Sequence, residues 1–454
     1  VDLGIDLGVL DHHRRRRGHH PLQVRIARDR DELGEVPGIA AVQGQEPGVR
    51  AIGLDDRDPH RAVADRVGDR AHVMVGIMWI GTSFHFIWLD ASLRRDKDTP
   101  QSLAGSSWMV HGGGFYHAQK YLVAPAEMPA DLHWFKYEAY FTWLTGFLLL
   151  AVIYYRGASD LLIDPRVMDL SPGAAIGLSL GGLALGWIVY DLLCRSPLGD
   201  KTGLLATLVF VLAVAVAYGF THVFSGRAAF VHVGAFLGSI MAGNVFFIII
   251  PNQKRTVAAL LAGQAPDPAL GKRAKQRSLH NNYLTLPVVL MMISNHYPMM
   301  FEHAQSWLIV AGILLFSGLL RLYANQKNAG KFGSNQKAIL LYALMIGMGA
   351  IGFASYRSNA DLEAIGPVTL ADVQAIMAHR CLACHSATPT DTAYKSPPKG
   401  IAFDTTDQIQ RMAPQIERMV VLTQAMPLAN KTGMLPEERL VIAKWLADAQ
   451  SAVD

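Results

Sequence analysis

The feature that most constrains this chain is a series of long apolar runs. Eight can be read, at 72–89, 133–155, 171–193, 202–224, 228–250, 283–300, 306–325 and 336–355. Crossing the hydrocarbon of a bilayer as a helix takes about 20 apolar residues. In lipid, a helix satisfies every backbone polar group within its own segment. The first run is short, and Pro287 interrupts the sixth. Hydrophobic residues make up 51% of the 454 residues. The expected fold is all-α: a polytopic transmembrane helical bundle of about eight spans, with the lipid bilayer as its surroundings.

The charges between the runs alternate. Arg94, Arg95, Lys97 and Lys120 follow the first run, and Arg195 and Lys201 follow the third. Lys254, Arg255, Lys272, Arg273, Lys275 and Arg277 are counted after the fifth, and Arg321, Lys327, Lys331 and Lys337 with the seventh. The other connections hold Arg156 and Arg166 with acids beside them, then Arg227, then Glu302. Basic loops stay in the cytoplasm, so the C-terminal part is expected outside. The run GKRAKQRS at 271–278 reads as a solvated cytoplasmic loop, with anionic lipid as a lesser alternative. It is too short to suggest nucleic-acid binding, and a net charge of +4 says little about partners.

One polar cluster stands apart. HRCLACHSATPT, 379–390, contains Cys381, Cys384 and His385 as C-x-x-C-H. This is the attachment spacing of c-type haem. Two thiols bond the porphyrin, and the next residue supplies the proximal nitrogen. A redox dithiol needs no following His. Zinc wants a second pair of ligands, and the only other cysteine is Cys194. The segment before the motif reads as a short helix capped by Thr369, and 435–449 reads as a closing helix. This arrangement resembles small class I cytochromes c, which take a Met before the last helix as second axial ligand. Met426, followed by Pro, is the first candidate and Met434 the second. Core packing is the alternative for either. A His/Met pair raises the haem potential. Haem c is attached outside the cytoplasm, which agrees with the charge count.

Residues 1–70 do not match the rest. They hold twelve Arg, no Lys, and no Ser, Thr, Asn, Phe, Tyr, Trp, Met or Cys. A folded domain of that composition is hard to build, and a signal peptide needs an apolar stretch that is missing. Nearly all of these residues have codons that can begin with G or C, Ile excepted. The expectation is GC-rich DNA read in a wrong frame or from a wrong start; a disordered tail is the alternative. The expected division is therefore 1–70, a membrane domain at 71–357 and a cytochrome c domain at 358–454.

From about Ala71 onward the chain resembles the membrane-bound urate oxidases that carry a cytochrome c. The residues are GIMWIGTSFHFIWLD (76–90), VHGGGFYHAQKY (110–121), WFKYEAYFTWLTGFLLL (134–150), NVFFIIIPNQ (244–253), HNNYLTLPVVLMMISNHYP (280–298) and the C-x-x-C-H segment. The resemblance implies oxidation of urate to 5-hydroxyisourate, with electrons passed to the fused haem and on to a respiratory acceptor. It implies the inner membrane of a bacterium, with the cytochrome domain in the periplasm.

Urate gives up two electrons and one haem accepts one at a time. Either a radical waits, or a second haem or metal lies in the membrane domain. Ionisable residues inside a membrane are functional candidates. His72, His222, His232 and His296 fall near the outer ends of the runs. A pair such as His72 with His232 or His296 fits iron, copper or zinc, or the histidines act as general bases. Asn295 and Tyr297 offer hydrogen bonds to a purine edge. A second candidate is VHGGGFYH, where three glycines let backbone approach a ligand between His111 and His117. A tight turn, or polar tips at headgroup level, explains the same residues without function. The rival functions are a membrane-anchored relay from quinol or another dehydrogenase, and a transporter, which often shows an internal repeat not evident here.

Overall fold

The computed structural model describes residues 59–451, apart from 126, 332, 356–363 and 393. Most of the segment expected to be foreign, and the expected boundary at 357/358, lie outside the described residues. Helix α1, Pro59–Ser92, starts inside that segment.

Among the described residues, nine helices of more than ten residues follow one another through the first part of the chain. After α1 come α2 (Tyr137–Leu150), α3 (Pro172–Arg195), α4 (Thr202–Thr221), α5 (Gly226–Gly243), α6 (Ile250–Leu261), α7 (Pro268–Ile293), α8 (Ser306–Asn328) and α9 (Ser334–Ser355). Their starts follow from local chemistry. Ser171, Ser225 and Asp267 accept from Ala174, Ala228 and Ala269 N–H groups at the starts of α3, α5 and α7. Such caps satisfy donors that the helix leaves orphaned. Pro172 and Pro268 stand where a missing N–H costs nothing.

Helix α5 lies at the centre. Ala228, Ala229, Phe230, Val233 and Leu237 are fully buried along it, and it packs against α3, α4 and α7. The approach to α3 is close: a Cβ on Gly186 would lie 2.3 Å from the Phe236 ring. Through a π-helical segment, Asn244–Ile249, α5 runs on into α6. A second π-helical segment, Ala151–Tyr155, extends α2.

Among the described residues, seven helical stretches are long and apolar enough to cross a membrane: Arg70–Ser92, Tyr137–Tyr155, Pro172–Arg195, Thr202–Thr221, Gly226–Leu261, Ser306–Asn328 and Ser334–Ser355. The expected span at 283–300 is not among them. Its residues form the last part of α7 and two short turns, Ser294–His296 and Pro298–Phe301. Helix α7 is too polar because its first half carries Lys272, Arg273, Lys275, Arg277, His280, Asn281 and Asn282. GKRAKQRS is therefore helix rather than solvated loop, and Ala274 and Arg277 within it are buried. Tertiary packing holds this helix, with polar groups meeting polar groups.

A second departure from the all-α expectation is a β-hairpin. Strands β1 (Leu103–His111) and β2 (Gly114–Tyr121) pair antiparallel. Gly112 and Gly113 form the turn with φ of +59° and +79°. Two positive φ values define the hairpin turn that matches strand twist, and glycine adopts them freely. Gly112 and Gly113 thus serve the turn, and Gly114 opens β2.

The bundle has two distinct ends. One gathers the hairpin, Lys272 with Asp200 at 2.7 Å, and Gln276 with the Gly199 carbonyl. The other gathers Ser225 with the Leu161 carbonyl and Arg227 with Asn295. The C-terminal segment adjoins this second end, where Arg166 Nη1 donates to the Met434 carbonyl at 3.2 Å.

That segment has its own core of Val373, Met377, Ile409, Ile416, Met434, Ile442 and Leu446. It is built on α10 (Leu370–Arg380) and α11 (Pro436–Ser451). Thr369 and Asp372 form the expected cap of α10 reciprocally. Arg380 ties the end of α10 to Glu438 at the start of α11, with Nε···O distances of 3.0 and 2.9 Å.

Candidate functional site

The C-x-x-C-H residues form the turn that ends α10. Cys384 and His385 N–H groups both donate to the Cys381 carbonyl, at 3.1 and 2.8 Å. His385 Nδ1 donates to the Ile401 carbonyl at 2.9 Å, and the Phe403 N–H donates to the His385 carbonyl at 2.8 Å. A carbonyl only accepts, so Nδ1 carries the proton and Nε2 presents a lone pair. Fixing one ring nitrogen to aim the other is how proteins orient a ligating imidazole. The cysteines are free thiols. Burial pushes Cys381 up to about 12 and Cys384 up to about 11. The two methionines differ: Met434 is fully buried in the core, whereas Met426 is half-buried. The Met426 carbonyl accepts from Arg439 Nη1 at 2.7 Å, which holds its loop against α11. Cys381, Cys384 and His385 have the order and donor types that could hold a haem c, with Met426 on the loop before α11.

Beside this segment lies a charged seam. Asp164 binds Arg166 at 2.6 Å. Burial pushes the Glu302 carboxyl up, against the pull of Arg439, Arg166 and Arg227. Arg439 belongs to α11 and the others to the bundle.

The histidines named above occupy different environments. His72 is hydrogen-bonded through Nδ1 to Thr145 at 3.1 Å, joining α1 to α2. His222 is exposed and donates Nδ1 to the Tyr218 carbonyl. His296 and Tyr297 are exposed, and Asn295 is half-buried against Arg227. His111 and His117 are exposed on the hairpin, and His117 stacks on Trp108 at 4.2 Å. His232 alone among them is fully buried. Its Nδ1 donates to the Ala228 carbonyl at 2.7 Å, and its Nε2 has no hydrogen-bond partner. Tyr154, Tyr155, Phe220 and Phe224 surround it, the nearest ring centre 4.9 Å away. The π-helical end of α2 supplies the two tyrosines; such segments recur at functional sites. Among the described residues no three His, Cys, Asp or Glu side chains group as metal ligands.

A polar network at the other end of the bundle was not anticipated. Arg277 Nη2 donates to Asp191 Oδ1 at 2.7 Å, and Arg195 Nε to Asp191 Oδ2 at 2.6 Å. Asn244 Nδ2 donates to Tyr190 Oη and to Asn281 Oδ1, both at 2.9 Å. Tyr190 Oη is 2.7 Å from His280 Nδ1. The signal was present as Asp191, Asn244 and Arg321 inside apolar runs, and as Arg277, Asn281 and Thr285 spaced four apart on one helical face.

A helical bundle with seven stretches long and apolar enough to cross a membrane is thus followed by a separately cored segment that bears C-x-x-C-H. The chain belongs to the urate oxidase N-terminal family, whose model matches residues 66–354, more than half of the chain. Membership points to an oxidoreductase role related to urate. No curated protein and no solved structure matches the chain.

Proposed function

We propose that this chain oxidises urate to 5-hydroxyisourate in a membrane and delivers the electrons to a haem c on its C-terminal segment. The observation that carries the reading is the coincidence of urate oxidase membership over 66–354 with a C-x-x-C-H turn whose His385 is already aimed by Ile401. Urate and water give 5-hydroxyisourate, two electrons and two protons. The haem supplies one-electron acceptance. Cys381 and Cys384 would hold it covalently, and His385 Nε2 and Met426 would supply its iron ligands. The electrons then pass to a respiratory acceptor.

The orientation rests on charge. Removing Arg277 and Arg321 from the loop count, because both are buried, leaves Arg94, Arg95, Lys97, Lys120, Arg195, Lys201, Lys254, Arg255, Lys272, Arg273, Lys275, Lys327, Lys331 and Lys337 exposed. All belong to the connections at the hairpin end or to the helix ends beside it. That end faces the cytoplasm by the positive-inside rule, and the haem-bearing segment faces the periplasm across a bacterial inner membrane.

Within the bundle, His232 is the residue that would ligate a second haem: Ala228 fixes its tautomer and its Nε2 lone pair is unmatched. Such a group would supply a second one-electron acceptor.

The test is spectroscopic. Urate added to anaerobic membranes should reduce the c-type haem band. Reduction by a quinol but never by urate would make the chain a relay instead.

A further inference from the structure

The buried arginines of the bundle differ in what they face. Arg277 is 2% exposed and its charge is matched by Asp191 at 2.7 Å. Arg321, on α8, is 7% exposed, yet no carboxylate among the described residues forms an ion pair with it. Its Nε donates to Asn282 Oδ1 on α7. Its guanidinium carbon stands 4.0 Å from the centre of the Phe84 ring on α1. Asn282 Nδ2 donates to Asn325 Oδ1 at 3.2 Å, and Asn325 lies one turn from Arg321 on the same helical face. Three helices therefore converge on a cation that has no anionic partner among the described residues. A ring face and one amide oxygen do not replace a counter-ion in a water-poor interior.

We infer that Arg321 is the substrate-binding cation of the bundle, and that its counter-ion is the urate monoanion. The inference rests on the reading under Proposed function and deepens it by naming the site. Urate is planar, carries one negative charge near neutral pH, and presents alternating carbonyl and N–H edges. A guanidinium offers a rigid fork of donors to such an edge. The Phe84 ring, its centre 4.0 Å from the guanidinium carbon, backs that fork. The amides of Asn282 and Asn325 add a donor and an acceptor each beside it, the pair that a carbonyl/N–H edge requires. A phosphate, free or in a lipid headgroup, shares the charge but has no planar edge. The site lies about fifteen residues along α8 from its start, roughly 22 Å at 1.5 Å per residue, towards the hairpin end.

The probe is urate itself, bound to anaerobic holoprotein whose haem has been reduced with dithionite, so that no turnover follows. Equilibrium dialysis should show binding to the wild type. Arg321→Ala and Asn282→Ala should each weaken it on the order of tenfold to a hundredfold, with the haem c spectrum and gel-filtration profile unchanged. Arg321→Lys keeps the charge without the fork and should lie between. If Arg321→Ala fails to fold, Arg321→Lys and Asn282→Ala carry the test. Folded variants that bind urate like the wild type would overturn the assignment. So would displacement of urate by equal concentrations of inorganic phosphate, or loss of co-purifying phosphatidylglycerol from Arg321→Ala with urate binding intact. A wild type that neither binds urate nor is reduced by it removes the functional reading, not merely this site.

Discussion

The C-terminal segment and the bundle hold their chemistry in opposite ways. Around His385, position is set by backbone: the Cys381, Ile401 and His385 carbonyls fix the turn and the ring over a short stretch of chain. Around Arg277, position is set by side chains from α3, α7 and the π-helical segment after α5, each satisfied by another. The first arrangement tolerates change elsewhere in the molecule. The second is a shared network, in which one missing member leaves its partners buried and unmatched.

The widest gap between the two regions should come from Cys381→Ser with Cys384→Ser. Covalent haem should vanish from denaturing gels stained for haem, while urate binding by the bundle survives. Loss of both at once would mean that the regions are not separable. The bundle should respond most to Asp191→Ala, which strands Arg277 and should cost about 3–5 kcal/mol. The midpoint of thermal unfolding in detergent reads this out. Asp191→Leu with Arg277→Met should recover most of the loss; no recovery would show that the pair does more than balance charge.

His232→Phe sharpens the comparison further. It removes an unmatched buried nitrogen, a change of about 1–3 kcal/mol on the scale of unsatisfied polar groups. A pyridine haemochrome assay should show c-type haem in both proteins and a non-covalent haem only in the wild type. Equal haem content with a more stable variant would reduce His232 to packing. The smallest effect belongs to the hairpin. Gly113→Ala forces a Cβ into φ of +79° and should lower stability by about 1 kcal/mol, without altering haem content or urate binding.

The legible parts of this chain are those whose signal is local. The Thr369 cap and the helix leading into C-x-x-C-H were readable because both are contiguous in sequence. Seven spans were readable because lipid demands unbroken apolar runs. Helix α7 was misread because its polar half is paid for by partners far away in sequence, Asp191 and Asn244 among them. Arg321 was counted as a loop base for the same reason: a charge ends a span unless something distant accommodates it, here Phe84 and Asn282. The outer histidines looked like one group because helix ends coincide along the membrane normal. Position around each helix axis then separates buried His232 from exposed His222 and His296.

The most direct test of the account is a titration of the purified, oxidised protein with urate, in the absence of oxygen and quinone. The account predicts that the c-type haem becomes reduced as urate is consumed, with one urate supplying electrons for two one-electron acceptors. Urate consumed only when oxygen is admitted, with peroxide formed and the haem still oxidised, would contradict it.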